Sequence, residues 1–379
     1  MKKNILIVTG EPSGDVRAAE LVKELNALMP GCSYWGIGGD RMKSEGVVLA
    51  EHIRNLSIVG IWEALVKLPL VRRQYNDLAE RIRSERPDLA ILVDYPGFNL
   101  KVARLLHKEN IPVIYYIIPQ VWAWGRGRIR TIRACVDKAL VLFDFEEKLL
   151  KENGIDCEFT GHPLIDAAGA ESFPGKSPGP VRSPEKPFTV ALLPGSRKSE
   201  IQNLLPLMLD TAEKLLDARA DIRFVIAENS NVDSALYDSV LAGHKRLGIS
   251  RVKDNTIQVL ADSDFAIVTS GTATLETAVM NVPMIITYRT AFLTALLYYT
   301  FVRLPSVGLV NIVAGKQIVP ELLQKNATPE KMSEQVLEII NDSARMRAMK
   351  QDLKKAAHAL GEKGAVRRAA EAVKRFLEQ

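Results

Sequence analysis

Residues 4–15 read NILIVTGEPSGD, and this stretch decides the fold class. A short run of apolar β-formers leads into two closely spaced glycines, and apolar residues then recur with helical spacing over residues 15–28. A buried strand, a glycine turn and a helix in this order are typical of the opening unit of a Rossmann-like fold. The free N–H groups at the start of such a helix favour anions or polar sugar edges, which makes Ser13, Gly14 and Asp15 candidate ligand-binding residues. The alternative is that Ser13 or Asp15 only caps the helix.

Outward from this stretch, strand-like and helix-like patterns alternate over residues 89–154, which predicts a parallel sheet with helices on both faces. A segment rich in Pro, Gly and Ser then reads as a linker. After it, a fresh strand at 188–193 runs into a second glycine turn and another αβ series. The sequence therefore predicts two Rossmann-like α/β domains facing a cleft. Their predicted bounds are 1–168 and 188–340, with a linker at 169–187 and basic C-terminal helices at 341–379 that pack back on the first domain or join a partner subunit.

The composition narrows the class of protein. The chain has 379 residues, of which 47% are hydrophobic and 25% charged, and this balance excludes a largely disordered chain. The net charge of +5 is too small over this length to predict nucleic-acid binding, but it fits an acidic small substrate or an anionic membrane face. The three cysteines have no metal-ligand spacing and predict reduced thiols in a cytosolic protein. The first apolar run is too short for a signal peptide, and no stretch approaches the about 20 apolar residues of a membrane helix.

The segment VDYPGFN, residues 93–99, carries the first candidate catalytic group. It follows a buried apolar strand, so Asp94 is expected at the carboxyl end of that strand, where ligands bind in this architecture. A carboxylate there is able to take a proton from an attacking hydroxyl group. The alternative is that Asp94 caps the helix that begins near Phe98.

Two segments of the second half are suited to a diphosphate. In LLPGSR, Arg197 follows the first strand of the second domain and is placed to donate two hydrogen bonds to a phosphate. In SGTATLE, Ser270, Gly271 and Thr272 open a helix with backbone and hydroxyl donors, and Glu276 is able to accept from ribose hydroxyls. The alternative for this second segment is a capping box that needs no ligand.

Two further features remain open. Trp122 and Trp124 precede a basic turn, and they either line the cleft and meet anionic groups or form a packed aromatic pair. His162 stands alone and is more typical of a structural than a catalytic histidine. The sequence has no cluster of carboxylates and histidines at metal-ligand spacing, so no protein-held metal is predicted.

Taken together, these motifs resemble those of the lipid-A-disaccharide synthases over nearly the whole chain. The segments that carry the resemblance are GEPSGD (10–15), VDYPGFN (93–99), PQVWAW (119–124), FTGHPLID (159–166), LLPGSR (192–197), SGTATLE (270–276) and the stretch 311–324. The resemblance implies a GT-B fold and an inverting transfer from UDP-2,3-diacylglucosamine to the 6-hydroxyl of 2,3-diacylglucosamine 1-phosphate. The expected products are UDP and a β-1,6-linked disaccharide phosphate, with no cofactor.

The resemblance also implies roles for single residues. Asp94 would be the catalytic base and Glu11 would orient the acceptor or the base. Arg197 and the amides of 270–272 would stabilise the leaving diphosphate. The residues expected to line the donor pocket are Glu276 at the ribose, Asn311, Glu321 and Gln324. Gly97 departs from the acidic residue expected after the proline.

The acylated substrates would account for two apolar segments, 56–71 and 291–304. The first has flanking cations and is expected to contact acyl chains or the cytoplasmic face of the inner membrane of a Gram-negative-type bacterium. A buried core helix is the alternative for both segments, and for the second it is an equal one. A homodimer is possible. The competing functions are a UDP-sugar epimerase on the same scaffold and a non-catalytic binding module. The residues of the first segment expected at the lipid are Ile58, Ile61, Trp62, Leu65 and Val66.

Overall fold

The computed structural model describes residues 3–55, 61–123, 125, 127–167, 187–289 and 306–379, with side chains of the helix after 60 described from residue 69. Four sequence predictions therefore lie outside the described residues: the linker at 169–187 except its last residue, the apolar segment 291–304, the side-chain contacts of Ile58, Ile61, Trp62, Leu65 and Val66, and the role of Trp124. The described chain divides into two compact units. The first unit is Met1–Asp166 with Gly361–Gln379, and the second is Ala167–Leu360.

The first unit is built on a seven-stranded sheet in the order β3-β2-β1-β4-β5-β6-β7, and every strand pairing in it is parallel. Its strands are β1 (Asn4–Val8), β2 (Ser33–Gly38), β3 (Val48–His52), β4 (Leu89–Val93), β5 (Val113–Tyr116), β6 (Lys138–Val141) and β7 (Cys157–Phe159). The helices between them are α1 (Pro12–Leu28), α2 (Asp40–Ser44), α3 (Ile61–Glu85), α4 (Pro96–Lys108), α5 (Gly127–Cys135), α6 (Asp144–Glu152) and α7 (Leu164–Ala167), with a 3₁₀ turn at Ile53–Asn55.

The second unit has a six-stranded parallel sheet in the order β10-β9-β8-β11-β12-β13. Its strands are β8 (Phe188–Leu193), β9 (Ile222–Glu228), β10 (Ser250–Lys253), β11 (Phe265–Thr269), β12 (Met284–Tyr288) and β13 (Glu321–Leu323). Its helices are α8 (Lys198–Ala218), α9 (Ser234–Leu241), α10 (Thr256–Ala261), α11 (Ala273–Val279), α12 (Leu309–Val313), α13 (Pro329–Ile340) and α14 (Ser343–His358), with 3₁₀ turns at Lys245–Leu247 and Gln324–Asn326.

The central strands explain why these sheets form. All five residues of β4 and all five of β11 are buried, as expected for parallel strands covered by helices on both faces. Such strands read as continuous apolar runs rather than alternating ones, and this is the pattern that predicted them. The α/β fold class with two Rossmann-like units is confirmed.

The last helix, α15 (Ala365–Leu377), belongs to the first unit although α14 belongs to the second. The carboxylate of Asp166 accepts from the backbone amides of Gly364 and Val366 at 2.6 and 3.0 Å and so caps the start of α15. Arg368 donates from Nε to the carbonyl of Thr160 at 2.9 Å. The chain therefore returns to the first unit at its C-terminal end.

Candidate functional site

In the first unit, the turns after β1 and β4 pack against each other. A Cβ atom at Gly10 would lie 2.2 Å from the ring of Tyr95, so only glycine fits beneath this ring. Asn99, fully buried in α4, donates from Nδ2 to the carbonyls of Val8 at 3.1 Å and Val93 at 3.2 Å. Packing and hydrogen bonds thus join the GEPSGD and VDYPGFN segments at the carboxyl edge of the sheet.

Asp94 lies half-buried at this edge in an unusual backbone conformation. Asp94 and Tyr95 have φ of +49° and +48°, a left-handed pair that non-glycine residues seldom adopt. The carbonyl of Asp94 accepts from Asn99 Nδ2 at 2.8 Å and from the Tyr115 hydroxyl at 2.7 Å, and these bonds offset the strain. The N-cap of α4 is Tyr95, whose side chain makes no cap hydrogen bond, so Asp94 does not occupy the capping position that the alternative gave it.

The carboxyl group of Asp94 is electrostatically perturbed. Burial, followed by the negative charge of Glu11, raises its pKa from the usual 3.8 to about 6, and a hydrogen bond from the Tyr95 amide acts in the opposite direction. A carboxylate with this pKa is ionised near neutral pH and still basic enough to accept a proton from a hydroxyl group. The electrostatic interaction also places Glu11, which is exposed at the start of α1, near Asp94.

The other predicted residues of GEPSGD differ in their surroundings. Ser13 is exposed, whereas Gly14 is buried and a Cβ there would lie 2.0 Å from Thr9 Oγ1. The N-cap of α1 is Glu11, whose side chain makes no cap hydrogen bond, and Ser13 and Asp15 lie inside the helix, so the alternative that one of them caps it is wrong. Asp15 is buried and instead accepts three amide hydrogen bonds from the turn after β2, from Gly39, Arg41 and Met42 at 2.7, 3.1 and 3.2 Å.

The PQVWAW segment follows β5 and meets the turn after β6. Trp122 is half-buried, and its Nε1 donates to Oε1 of Glu146 at 2.9 Å. Glu146 is buried, and its other oxygen accepts from the Leu142 amide at 3.3 Å. Burial raises the pKa of Glu146 from 4.5 to about 7, against the effect of these hydrogen bonds. Trp124 lies outside the described residues.

His162 is buried, and its imidazole ring is uncharged at neutral pH. Burial lowers its pKa from 6.5 to about 3, and Nδ1 accepts from the Leu164 amide at 3.1 Å. The neutral ring therefore carries its hydrogen on Nε2. The interpretation of this lone histidine as structural rather than catalytic stays a prediction.

In the second unit, the turn after β8 is fixed by a carboxylate that the sequence analysis did not single out. Glu200 Oε2 accepts from the amides of Ser196 at 2.9 Å and Arg197 at 3.2 Å. Gly195 has a φ of +113°, and a Cβ there would lie 2.2 Å from this same oxygen. The side chain of Arg197 remains 72% exposed, with one guanidinium nitrogen 3.4 Å from Glu200 Oε1. Its guanidinium is therefore accessible to an anionic ligand at the carboxyl end of β8.

The turn after β11 lies beside it, because β8 and β11 are paired neighbours. Ser270 Oγ donates to the carbonyl of Val307 at 3.0 Å, Gly271 has a φ of +146°, and Thr272 is exposed. The N-cap of α11 is Thr272, and its side chain makes no cap hydrogen bond, so the alternative of a reciprocal capping box is wrong. Glu276 is half-buried in the first turn of α11.

Asn311, Glu321 and Gln324 cluster around α12 and β13. The Glu321 carboxylate accepts from the amides of Val307 and Gly308 at 2.9 and 3.0 Å, and from Asn311 Nδ2 at 2.7 Å. Asn311 is buried, and its Oδ1 accepts from the amides of Ile318 and Val319. Gln324 follows β13 with a φ of +51°. Asn311 and Glu321 thus brace the 306–321 loop in this structure.

Four residues that the sequence analysis missed shape the two edges: Tyr115, Asn99, Glu146 and Glu200. Three of them lie in or beside segments that were quoted. The bonds from Tyr115 to Asp94, from Asn99 to Val8 and from Trp122 to Glu146 join residues distant in the chain, so no local pattern could assign them. Glu200 instead accepts from amides three and four residues before it, so an acidic residue in the first turn of the predicted helix was a usable signal. A second signal was a polar side chain placed where helical spacing predicts an apolar one, as at Asn99.

The described residues hold neither a metal-binding cluster nor a membrane-spanning helix. Among them, no group of three or more His, Cys, Asp or Glu side chains is arranged to hold a metal ion. In the same part of the chain, no helix has the length and apolar character needed to cross a bilayer.

A family model and individual relatives of this chain point to the same family. A family model described as lipid-A-disaccharide synthetase matches residues 5–376. The lipid-A-disaccharide synthase of Syntrophus aciditrophicus (strain SB) is 40% identical over 368 residues, covering 97% of this chain and 96% of that protein. The lipid-A-disaccharide synthase of Anaeromyxobacter dehalogenans (strain 2CP-C) is 39% identical over 373 residues, covering 97% of this chain and 96% of its own.

Solved structures share the fold at low identity. The S. aureus MnaA–UDP co-structure matches with a TM-score of 0.65 at 15% identity, covering 100% of this chain and 97% of that one. The glycosyltransferase of kitacinnamycin matches with a TM-score of 0.62 at 16% identity, covering 99% of each chain. At these identities the likeness extends to the fold, and it confirms the GT-B architecture predicted from the motifs.

Proposed function

Because this chain belongs to the lipid-A-disaccharide synthetase family, we propose that it joins UDP-2,3-diacylglucosamine to 2,3-diacylglucosamine 1-phosphate. It is a hexosyltransferase of lipid A biosynthesis that forms the disaccharide, and the UDP-sugar epimerase alternative is not favoured. The new bond joins C1 of the donor sugar to O6 of the acceptor in the β configuration. UDP leaves from the opposite face of C1, so the configuration at C1 inverts in one displacement.

Asp94 is the proposed general base, and its placement is the observation that carries the assignment. It lies half-buried at the carboxyl edge of the sheet and is not used to cap α4. Its raised pKa of about 6 suits proton transfer near neutral pH. As acceptor O6 forms its bond to donor C1, the O6 proton passes to the Asp94 carboxylate and the bond between C1 and the diphosphate oxygen breaks. Exposed Glu11, whose charge acts on Asp94, would orient the acceptor or the base.

The second unit would hold the donor. The negative charge that develops on the leaving diphosphate needs donors already in place, and the exposed guanidinium of Arg197 with the amides of 270–272 offers them. Glu276 would accept from the ribose hydroxyls. Glu321 and Asn311 would shape the donor pocket through the loop they brace, and Gln324 would contact the donor directly.

At the first unit's sheet edge, exposed Ser13 would contact the acceptor at the start of α1, and buried Gly14 would support this turn by its close packing on Thr9. Asp15 would contribute by fixing the turn after β2 rather than by touching the sugar, because three amides already engage its carboxylate. The free amides at the start of α1 are suited to a polar or anionic group of the acceptor.

A groove between α3 and α4 supports a location at the surface of the inner membrane. It has a volume of about 890 Å³, and its apolar lining includes Val71, Tyr75, Phe98 and Leu105. Cationic side chains also line it, among them Arg72, Lys101, Arg104 and Lys108. An apolar surface with cations at its side suits acyl chains and anionic headgroups. We infer that the enzyme works as a peripheral protein on the cytoplasmic face.

Product analysis with the two substrates tests the proposal. Purified protein is incubated with UDP-2,3-diacylglucosamine and 2,3-diacylglucosamine 1-phosphate, and released UDP and the disaccharide phosphate are quantified. The expected result is one UDP for each disaccharide, with a β linkage, and loss of both in Asp94→Asn. A parallel reaction with UDP-N-acetylglucosamine alone tests the epimerase: formation of the C2 epimer without disaccharide in the first reaction would overturn the transferase assignment.

A further inference from the structure

Four aromatic rings form a continuous row at the carboxyl edge of the first unit's sheet, which we call the aromatic shelf: Trp122, Phe145, Phe143 and His162. Trp122 meets Phe145 edge to face with ring centres 5.4 Å apart, and Phe145 stacks on Phe143 at 5.3 Å. Phe143 meets His162 at 5.6 Å. The inner two rings, Phe143 and His162, are buried, whereas the outer two are half-buried. The shelf therefore has a rigid inner end and an accessible outer end.

The outer end of the shelf is held by a buried carboxyl group, that of Glu146. The Trp122 indole donates to Glu146 Oε1 at 2.9 Å, and Glu146 is itself 4% exposed. Burying a carboxyl group costs free energy that the burial of an apolar residue would not, and a half-buried tryptophan could have hydrogen-bonded to water instead. The fold thus fixes the orientation of a ring that is not needed to fill the core.

The aromatic shelf lies along the same sheet edge as the proposed base. Trp122 belongs to the turn after β5, and Phe143 and Phe145 follow β6. Strand β5 is paired with β4, and Asp94 directly follows β4. The backbone ladder continues past the strands, since the Asp94 amide donates to the Tyr116 carbonyl at 3.2 Å and the Ile117 amide to the Leu140 carbonyl at 3.1 Å. A ligand whose hydroxyl group reaches Asp94 therefore has the shelf along the same edge.

We propose that the aromatic shelf binds the pyranose ring of the acceptor, and that Glu146 is a positioning residue that orients Trp122 for this contact. A glucosamine ring presents C–H groups on its faces, and half-buried aromatic rings beside a few polar groups are the usual lining for such a ligand. The inference rests on the proposed function, because it assigns the acceptor to the edge that carries Asp94. It adds residues that contact or orient the sugar, whereas Asp94 remains the group that accepts the proton.

Steady-state kinetics with each substrate varied in turn tests the shelf. The variants are Trp122→Leu, which removes the ring, Trp122→Phe, which keeps a ring but loses the donor, and Glu146→Gln. We expect the acceptor KM to rise about tenfold or more in Trp122→Leu and about threefold in the other two, with the donor KM within twofold of wild type. Glu152→Gln, an exposed change at the other end of α6, is the matched control and should leave both KM values unchanged. Thermal unfolding of each variant checks that it is folded.

Three results would overturn the inference. One is an acceptor KM unchanged in folded Trp122→Leu, and another is an equal rise in both KM values. The third comes from an acceptor with shortened acyl chains: if Trp122→Leu no longer differs from wild type with this acceptor, the shelf contacts acyl chains and the assignment to the sugar ring is wrong. In each case wild type still forms disaccharide, whereas failure of wild type to do so would instead refute the proposed function.

Discussion

The side-chain amide of Asn99 binds the main-chain carbonyl of Asp94 at 2.8 Å, while Asp94 keeps a left-handed φ of +49°. The same amide also binds the carbonyls of Val8 and Val93, and the Tyr115 hydroxyl adds a second bond to the Asp94 carbonyl. Each non-glycine residue in the left-handed conformation costs about 1–3 kcal/mol. Such a conformation persists only where contacts with the surrounding structure hold it in place. The proposed base is thus held at the sheet edge by one buried asparagine and one buried tyrosine.

Loss of this support is expected to lower stability and turnover together. Asn99→Ala removes the two N–H donors that the carbonyls of Val8, Val93 and Asp94 share, and we expect the free energy of unfolding to fall by about 2–4 kcal/mol. Tyr115→Phe removes one bond and should lower it by about 1 kcal/mol. In both variants kcat should fall more than the KM of either substrate changes, because the base is misplaced rather than the substrates lost.

Urea unfolding and initial rates at saturating substrate measure these effects. Tyr116→Phe is the matched control, because the hydroxyl of this neighbouring buried tyrosine has no hydrogen-bond partner among the described residues. A Tyr115→Phe enzyme with wild-type kcat would show that the position of Asp94 does not depend on this bond.

The raised pKa of Asp94 predicts opposite effects of pH on activity and stability. Activity requires the carboxylate, so kcat should fall as pH drops below about 6. For stability, the folded state binds the Asp94 proton more tightly than the unfolded state, whose pKa is near 3.8. The free energy of unfolding therefore falls as pH rises from about 4 through about 6, and the penalty is fully present above that range.

Asp94→Asn separates the two effects. We expect its turnover to be lower by about 10²–10⁴-fold, and its free energy of unfolding at pH 8 to exceed that of wild type by about 1–2 kcal/mol. The difference in stability should shrink toward pH 4. Asp77→Asn, on the exposed face of α3, is the control and should change neither quantity measurably. An Asp94→Asn variant that is both inactive and less stable at pH 8 would contradict the argument.

The sequence predicted the framework of both units, for a physical reason. Buried parallel strands such as β4, β8 and β11 are continuous apolar runs, and the strand predicted at 188–193 agrees with β8 in the structure. Strand β2 was missed because its sequence, SYWGIG, includes two glycines and begins with serine, although all but its first residue are buried. Strand β13, with three residues, is too short to form a pattern.

The candidate site was predictable only in part. Turn residues after strands, such as Asp94, Arg197 and Ser270, can be read from the order of strand, turn and helix. What a side chain bonds to depends on neighbours that are distant in the chain. Asp15 illustrates this limit, because its partners belong to the turn after β2, more than twenty residues away. Glu146 is a second example, since its partner Trp122 follows a different strand.

Asp15→Ala tests whether that residue acts on the fold or on the substrate. Its carboxylate accepts from the amides of Gly39, Arg41 and Met42, so the variant loses three charge-assisted bonds at the start of α2. We expect the free energy of unfolding to fall by about 2–3 kcal/mol, with kcat and both KM values within about threefold of wild type below the unfolding temperature. A stable variant with a tenfold higher acceptor KM would instead favour direct contact with the substrate.

The groove between α3 and α4 predicts binding to anionic membranes that depends on its cations. Lys101 and Lys108 line the groove from α4, and both side chains are exposed. Each basic residue near an anionic bilayer contributes about 1 kcal/mol, so Lys101→Glu/Lys108→Glu should weaken binding to phosphatidylglycerol vesicles at least tenfold, measured by sedimentation. The effect should shrink as salt is raised, because the Debye length falls from about 10 Å at 0.1 M to about 3 Å at 1 M.

Lys350→Glu/Lys354→Glu on α14 makes the same change in net charge at exposed positions of the second unit. Equal losses of vesicle binding in the two double variants would mean that net charge, and not the groove, brings the protein to the membrane.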